Sequence, residues 1–244
     1  MRYRKTVALV PLLLLTGITT SGLGQAIEFA PPFEIRDRLG IPKTGAYAAF
    51  AVAGISRHLY VAWGDYNRED PSIRYVKFAH SANGGASFEA ALIHSYTSMP
   101  SYVHFQQSFQ IATAGERAYV LFAPGLPGLQ PLSICFVNPG EDISCRRLLS
   151  APGGFPNRRI GAVDNKVYIA WNPLTSATTR FRIIYSTDGG RTFSQPIDLM
   201  SDYPLSARAM LEEVTATGDY VYLRWSEGNQ VLMTRGRLVE SGPN

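Results

Sequence analysis

Ser186-Thr187-Asp188-Gly189-Gly190-Arg191-Thr192-Phe193 (STDGGRTF) follows directly on a β-prone run, Phe181 to Tyr185 (FRIIY). An aspartate that accepts hydrogen bonds from turn amides, paired glycines that tolerate positive φ and a closing aromatic that folds under the turn together describe a hairpin between two strands. The arrangement occurs earlier as well: Ser81 to Phe88 (SANGGASF) follows Ile73 to Ala79 (IRYVKFA), with Asn83 in place of the aspartate. Between the two, Asn138 to Ile143 (NPGEDI) falls at the corresponding place as a degenerate version. Working outward, four segments share one pattern: Tyr60 to Trp63 (YVAW), Tyr119 to Phe122 (YVLF), Tyr168 to Trp171 (YIAW) and Tyr222 to Trp225 (YLRW), at intervals of 59, 49 and 54 residues. Each follows a turn signal: Gly54, Gly115, Asp164-Asn165 and Gly218-Asp219. A period near 50 residues of strand, turn, strand, turn predicts propeller blades, each a small antiparallel sheet. No window sustains the apolar spacing of three and four that a helical solenoid needs.

Ser186, Asp188, Gly190 and Phe193 match the Asp-box, S-x-D-x-G-x-[ST]-[WF], and Ser81, Asn83, Gly85 and Phe88 match it except at the aspartate. On these motifs the chain resembles the sialidase-like (BNR repeat) β-propellers over the length that follows its N-terminal segment. The resemblance implies an all-β propeller whose Asp-box is a structural turn on the rim away from the active site, so Asp188 is read as a turn cap and not as a catalytic acid. Enzymes of the superfamily grip a carboxylate with three arginines, use a Tyr/Glu nucleophile pair and an Asp acid/base, and usually have six blades. Four repeats are present here, and their aromatic-R-I-P motif is only echoed by Arg38-Leu39-Gly40-Ile41-Pro42. Arg36, Arg57, Arg158, Arg159, Arg180, Arg182 and Arg208 occur without a spacing that brings three together. No catalytic residue is therefore assigned.

Composition agrees with a packed β domain. Of 244 residues, 45% are hydrophobic and only 17% charged, which excludes a disordered chain, and 11% aromatic content favours strands. Arg2, Arg4 and Lys5 precede an apolar run, Val7 to Leu15, and small residues end at Gly24-Gln25-Ala26. This pattern predicts a secretory signal over residues 1–26 and a single propeller domain over 27–244, the run being about half of a membrane span. Three of the 23 basic residues lie in that segment, leaving a nearly neutral remainder of 20 basic and 19 acidic side chains. The net charge of +4 thus belongs mostly to export and gives no support for nucleic-acid binding. A secreted or periplasmic location is expected, with no stable membrane insertion after cleavage.

Cys135 and Cys145, the two cysteines, flank the degenerate turn, and antiparallel strands joined there bring them together; a disulfide is expected. His58, His80, His94 and His104 lack metal-ligand spacing, and Asp65, Glu69 and Asp70 read as a solvated acidic loop in preference to a calcium site. No metal or cofactor is expected. Trp63, Trp171 and Trp225 recur at one repeat position, which favours packing between sheets over stacking on sugars. Ring closure is expected from a β-compatible Ile27 to Ile35 and a C-terminal strand over Val231 to Val239, giving about four to five blades; an open arc instead calls for a partner or second copy. The sequence supports an exported, non-catalytic β-propeller that binds a glycan, peptide or envelope partner through its loop face. A sialidase-like glycoside hydrolase acting on an acidic sugar is the alternative.

Overall fold

The computed structural model describes residues 35–39, 50–66, 69–70, 72–97, 109–123, 131–149, 157–172, 180–199, 205–206 and 209–239. They form one helical turn, α1 (Ile35–Arg38), and fifteen strands in four antiparallel sheets. Blade one contains β1 (Phe50–Ile55), β2 (His58–Tyr66), β3 (Ile73–Ser81) and β4 (Glu89–Thr97). Blade two contains β5 (Phe109–Ala114), β6 (Arg117–Phe122), β7 (Leu132–Val137) and β8 (Ser144–Leu149). Blade three contains β9 (Arg159–Val163), β10 (Lys166–Trp171), β11 (Arg182–Ser186) and β12 (Ile197–Asp198), and blade four β13 (Met210–Thr217), β14 (Tyr220–Glu227) and β15 (Gln230–Arg237). Within every sheet the strands lie in chain order, each paired with the next.

The repeat explains how the blades stack. Successive strand residues point to opposite faces, so the first and fourth residues of Tyr-x-x-Trp must serve different neighbours. Tyr60 and Ala62 pack against Val120 and Phe122 of blade two. Tyr119 and Leu121 pack against Ile169 and Trp171 of blade three, and Tyr168 and Ala170 against Leu223 and Trp225 of blade four. In each blade the tyrosine faces forward and the closing aromatic faces back. Trp171 and Trp225 fill these layers and Trp63 a separate cluster with Val61, Ala79, Phe50 and Leu39; at only 2–4% exposed, the three offer no ring to a sugar. The first strands β1, β5, β9 and β13 run side by side; Gly161 is needed where β9 meets β13, since a Cβ there would sit 2.8 Å from the Val214 carbonyl oxygen. Packing of this kind between β13 and β1 is absent among the described residues.

The C-terminal strand expected over Val231 to Val239 is β15. The expected N-terminal strand and the signal segment lie outside the described residues, apart from Ile35, which opens α1. No helix among the described residues is long and apolar enough to cross a membrane.

Candidate functional site

The topology gives the molecule two ends. One carries the short turns β1–β2 and β3–β4 and their equivalents; the other carries the connections β2–β3, β4–β5 and their equivalents, which are longer except for the two-residue β14–β15 turn and most of which fall outside the described residues.

The turn end holds the residues that the sequence singled out. Ser186 Oγ donates to Asp188 Oδ1 (2.7 Å) and accepts from the amides of Asp188 (3.3 Å) and Gly190 (2.8 Å). Asp188 in turn accepts from the Thr192 amide (2.9 Å) and hydroxyl (2.6 Å). The Thr192 hydroxyl and amide, followed by Ser186, hold the Asp188 carboxyl well below the usual carboxylate range. Ser81 and Asn83 make the same bonds: Ser81 Oγ donates to Asn83 Oδ1 (2.8 Å) and accepts from the Gly85 amide (2.9 Å), and Ser87 donates its amide to Asn83 Oδ1 (3.0 Å). Asn83 Nδ2 donates to Ser87 Oγ (2.8 Å), so the amide reproduces the aspartate's two-sided clasp without its charge. Phe193 packs into the layer between blades two and three, and Phe88 beside Trp63 and Phe50. These groups are consumed by their own turns.

The turns also tie blades together. Arg146 on β8 lies between the rings of Phe136 (5.2 Å) and Phe193 (5.4 Å) and donates to the carbonyls of Gly190 and Arg191. Arg117 donates to Asn138 Oδ1 (2.6 Å) and to the Gly189 carbonyl (3.3 Å), while Lys166 pairs with Asp219 at 2.7 Å. Tyr60 Oη donates to the Glu116 carbonyl of the next blade. Cys135 and Cys145 face each other across β7 and β8 and are joined by a disulfide. Clefts of about 490, 510 and 420 Å3 open around this degenerate turn, all three lined by Asn138 and Glu141.

One contact here was missed in the sequence. His58 and His80 stack with their rings 5.2 Å apart, and His58 Nδ1 lies 2.9 Å from His80 Nε2. The signal was the β2–β3 register, which sets Tyr60 opposite His80. Burial, then His58, pushes the His80 imidazole down. No group of three or more candidate metal ligands is present among the described residues. Asp65 is instead paired with Lys77 (2.6 Å) and Asp70 caps Ser72 (2.6 Å), so these two carboxylates of the acidic loop serve separate local roles.

At the loop end, blades three and four bring together Arg159, Glu212, Glu213 and Arg224. A bulge between Leu211 and Glu213 lets consecutive glutamates reach one guanidinium: Arg224 Nη1 donates to Glu212 Oε2 (2.6 Å) and Nε to Glu213 Oε2 (3.0 Å). Bonds from Arg224 and Thr215 hold the Glu213 carboxyl below its ordinary value. Arg159 donates to the backbone carbonyls of Glu212 and Arg158; burial pushes its guanidinium down, against the pull of the nearby Glu212. Beside them Asn172 Nδ2 donates to the Ala209 carbonyl (2.9 Å), and Glu227 accepts from the Ser206 amide (2.7 Å). Arg158 is buried, Arg180 and Arg182 pair with Asp198 at the outer edge of blade three, and Arg57 sits in the β1–β2 turn. Arg36 lies in α1, and Arg208 lies outside the described residues. Arginines therefore gather at the loop end, where Arg159 donates to backbone carbonyls and Arg224 to carboxylates of the protein itself.

Four antiparallel sheets stacked face to face in chain order, with their first strands adjacent, define a β-propeller. The chain matches no family model and no curated protein. Among solved structures it is similar to the alpha-L-arabinanase of Penicillium chrysogenum complexed with arabinobiose, at 10% identity and a TM-score of 0.52 over 78% of this chain and 61% of that one. It is also similar to the alpha-L-arabinofuranosidase of Fusarium graminearum in complex with an iminosugar inhibitor, at 12% identity and a TM-score of 0.51 over 81% of this chain and 59% of that one. The chain spans about three fifths of the length of these two structures. At such identities the likeness establishes a shared fold.

Proposed function

We propose that this protein is an exported, non-catalytic β-propeller that binds a glycan at its loop end, with residues 1–26 acting as a secretory signal and 27–244 as the propeller domain. The observation that carries the reading is the engagement of the loop-end arginines. A sialidase-like site needs guanidiniums free to grip a substrate carboxylate, whereas Arg224 is spanned by Glu212 and Glu213 and Arg159 is bound to two backbone carbonyls. The fold neighbours, two of them solved with a disaccharide or an iminosugar, favour a glycan over a peptide as the ligand class. The Cys135–Cys145 disulfide supports a secreted or periplasmic location, because such bridges persist in oxidising compartments. A glycan array whose spots are read for retained protein and for the mass of the immobilised glycan tests both halves of the proposal.

A further inference from the structure

Blade four has two unlike faces. Leu211, Val214, Val221, Leu223 and Trp225 are buried against blade three. On the opposite face the repeat keeps its tyrosine, Tyr222, but changes character at two neighbouring positions that, in blades one to three, pack on the next blade. The third residue of the repeat is Ala62, Leu121 and Ala170 in those blades, all buried, but Arg224 in blade four. Across the strand pair, the residue opposite the repeat tyrosine is His80, Phe136 or Tyr185 in blades one to three, but Arg235 in blade four. Tyr220 and Arg237 form the adjacent cross-strand pair, and Arg235, Arg237 and Met233 are exposed on this face of β15. Among the described residues Arg235 and Arg237 make no ion pair within 4 Å, although Arg237 is near enough to Asp219 to help hold its carboxyl down; Arg235 lies over the Tyr220 ring at 4.7 Å, and the Tyr222 ring is 6.5 Å from that of Tyr220.

We propose that this outer face of blade four is a docking surface for an anionic polysaccharide, one bearing uronate or sulfate groups. Arg235 and Arg237, about 7 Å apart on one face of a strand, offer fork-shaped donors that suit carboxylate and sulfate oxygens. Tyr220 holds the Arg235 guanidinium against its ring, and half-buried Tyr222 beside it adds a flat amphipathic side chain to the face. Charge argues against a further sheet as the occupant, since burying two guanidiniums without carboxylates opposite them is strongly unfavourable. The disulfide argues for an extracellular polyanion over a nucleic acid. Arg224 lies where this face meets the loop-end cluster, but Arg235, Arg237, Tyr220 and Tyr222 are outside that cluster, and the proposal does not depend on the glycan-binding reading of the loop end.

Titration of the purified protein with polygalacturonate, dextran sulfate and uncharged dextran at low and moderate salt tests the proposal. Binding to at least one polyanion, weakening with salt and absent for dextran, is expected; the two polyanions separate uronate from sulfate recognition. Arg235→Ser combined with Arg237→Ser should weaken that binding at least tenfold, while Arg57→Ser combined with Arg191→Ser, which removes two exposed charges from the turn end, should change it less than about twofold. Equal losses in the two double variants, no binding to either polyanion, or equally tight binding to duplex DNA overturns it. So does a concentration-dependent dimer that dissolves in the Arg235/Arg237 variant, which assigns the face to a second copy of the chain. None of these failures bears on the loop-end array result, which needs neither arginine.

Discussion

Gly190 is the residue on which the turn of blade three depends. Its φ is +85°, and a Cβ would lie 2.3 Å from the Phe136 ring of blade two, so replacement is opposed by both backbone conformation and packing. Gly84, in the equivalent turn of blade one, has a φ of +70° with nothing within 4 Å. Gly190→Ala should therefore cost roughly 2–4 kcal/mol and Gly84→Ala about 1 kcal/mol in urea unfolding; equal costs would show that Phe136 does not constrain the turn. Asp188 supplies a pH-dependent counterpart. Its carboxyl is depressed in the folded protein, so its contribution is present above the unfolded value of about 3.9 and is lost as pH falls through the folded value. Asp188→Asn, which copies Asn83, should keep the clasp and lose less melting temperature than the parent as pH falls below 4; parallel curves would contradict this. The serine, the aspartate and the paired glycines made this turn readable from sequence. Arg146 between Phe136 and Phe193 was not, because that contact joins two blades and no local pattern announces it.

At the level of elements, the strands were legible because Tyr-x-x-Trp repeats and because an offset of three commits its ends to opposite faces of a sheet. The same rule carried a further signal that is obvious only once the blades are seen: YLRW breaks the apolar third position with Arg224, which marks blade four as the one whose forward face meets solvent. The His58–His80 stack was likewise implicit in the β2–β3 register, yet metal-ligand spacing is a test for ligands and does not detect a pair across a hairpin. Strands β7 and β8 show a different economy of design. Their connection, Asn138 to Ile143, keeps one side-chain clasp, Asn138 to Glu141 at 2.5 Å, where blades one and three have the fuller serine-centred network. The disulfide across the two strands closes a separation of 10 residues. Reduction should lower unfolding stability by about 2–3 kcal/mol by the loop-entropy model, seen as a shift of the urea midpoint with dithiothreitol. An unchanged midpoint would mean that the β7–β8 pairing needs no crosslink.

For the whole molecule, the repeat period yielded the propeller, and the structure adds that its blades stack through three apolar layers, with an arginine-bearing face of blade four turned to solvent. The loop-end cluster was out of reach of sequence reasoning. Arg159 meets the Glu212 carbonyl across 53 residues because β9 lies beside β13, and the bulge in β13 decides that both Glu212 and Glu213 face Arg224. The proposal of a binding propeller over a sialidase-like hydrolase rests on that cluster, since guanidiniums held by the protein are not free for a substrate carboxylate. The glycan array with on-spot mass reading tests the distinction most directly. A binding propeller is retained on a defined subset of glycans and leaves their masses unchanged after prolonged incubation. Retention on none of them, or loss of a terminal sugar from the glycans that are bound, would contradict the account.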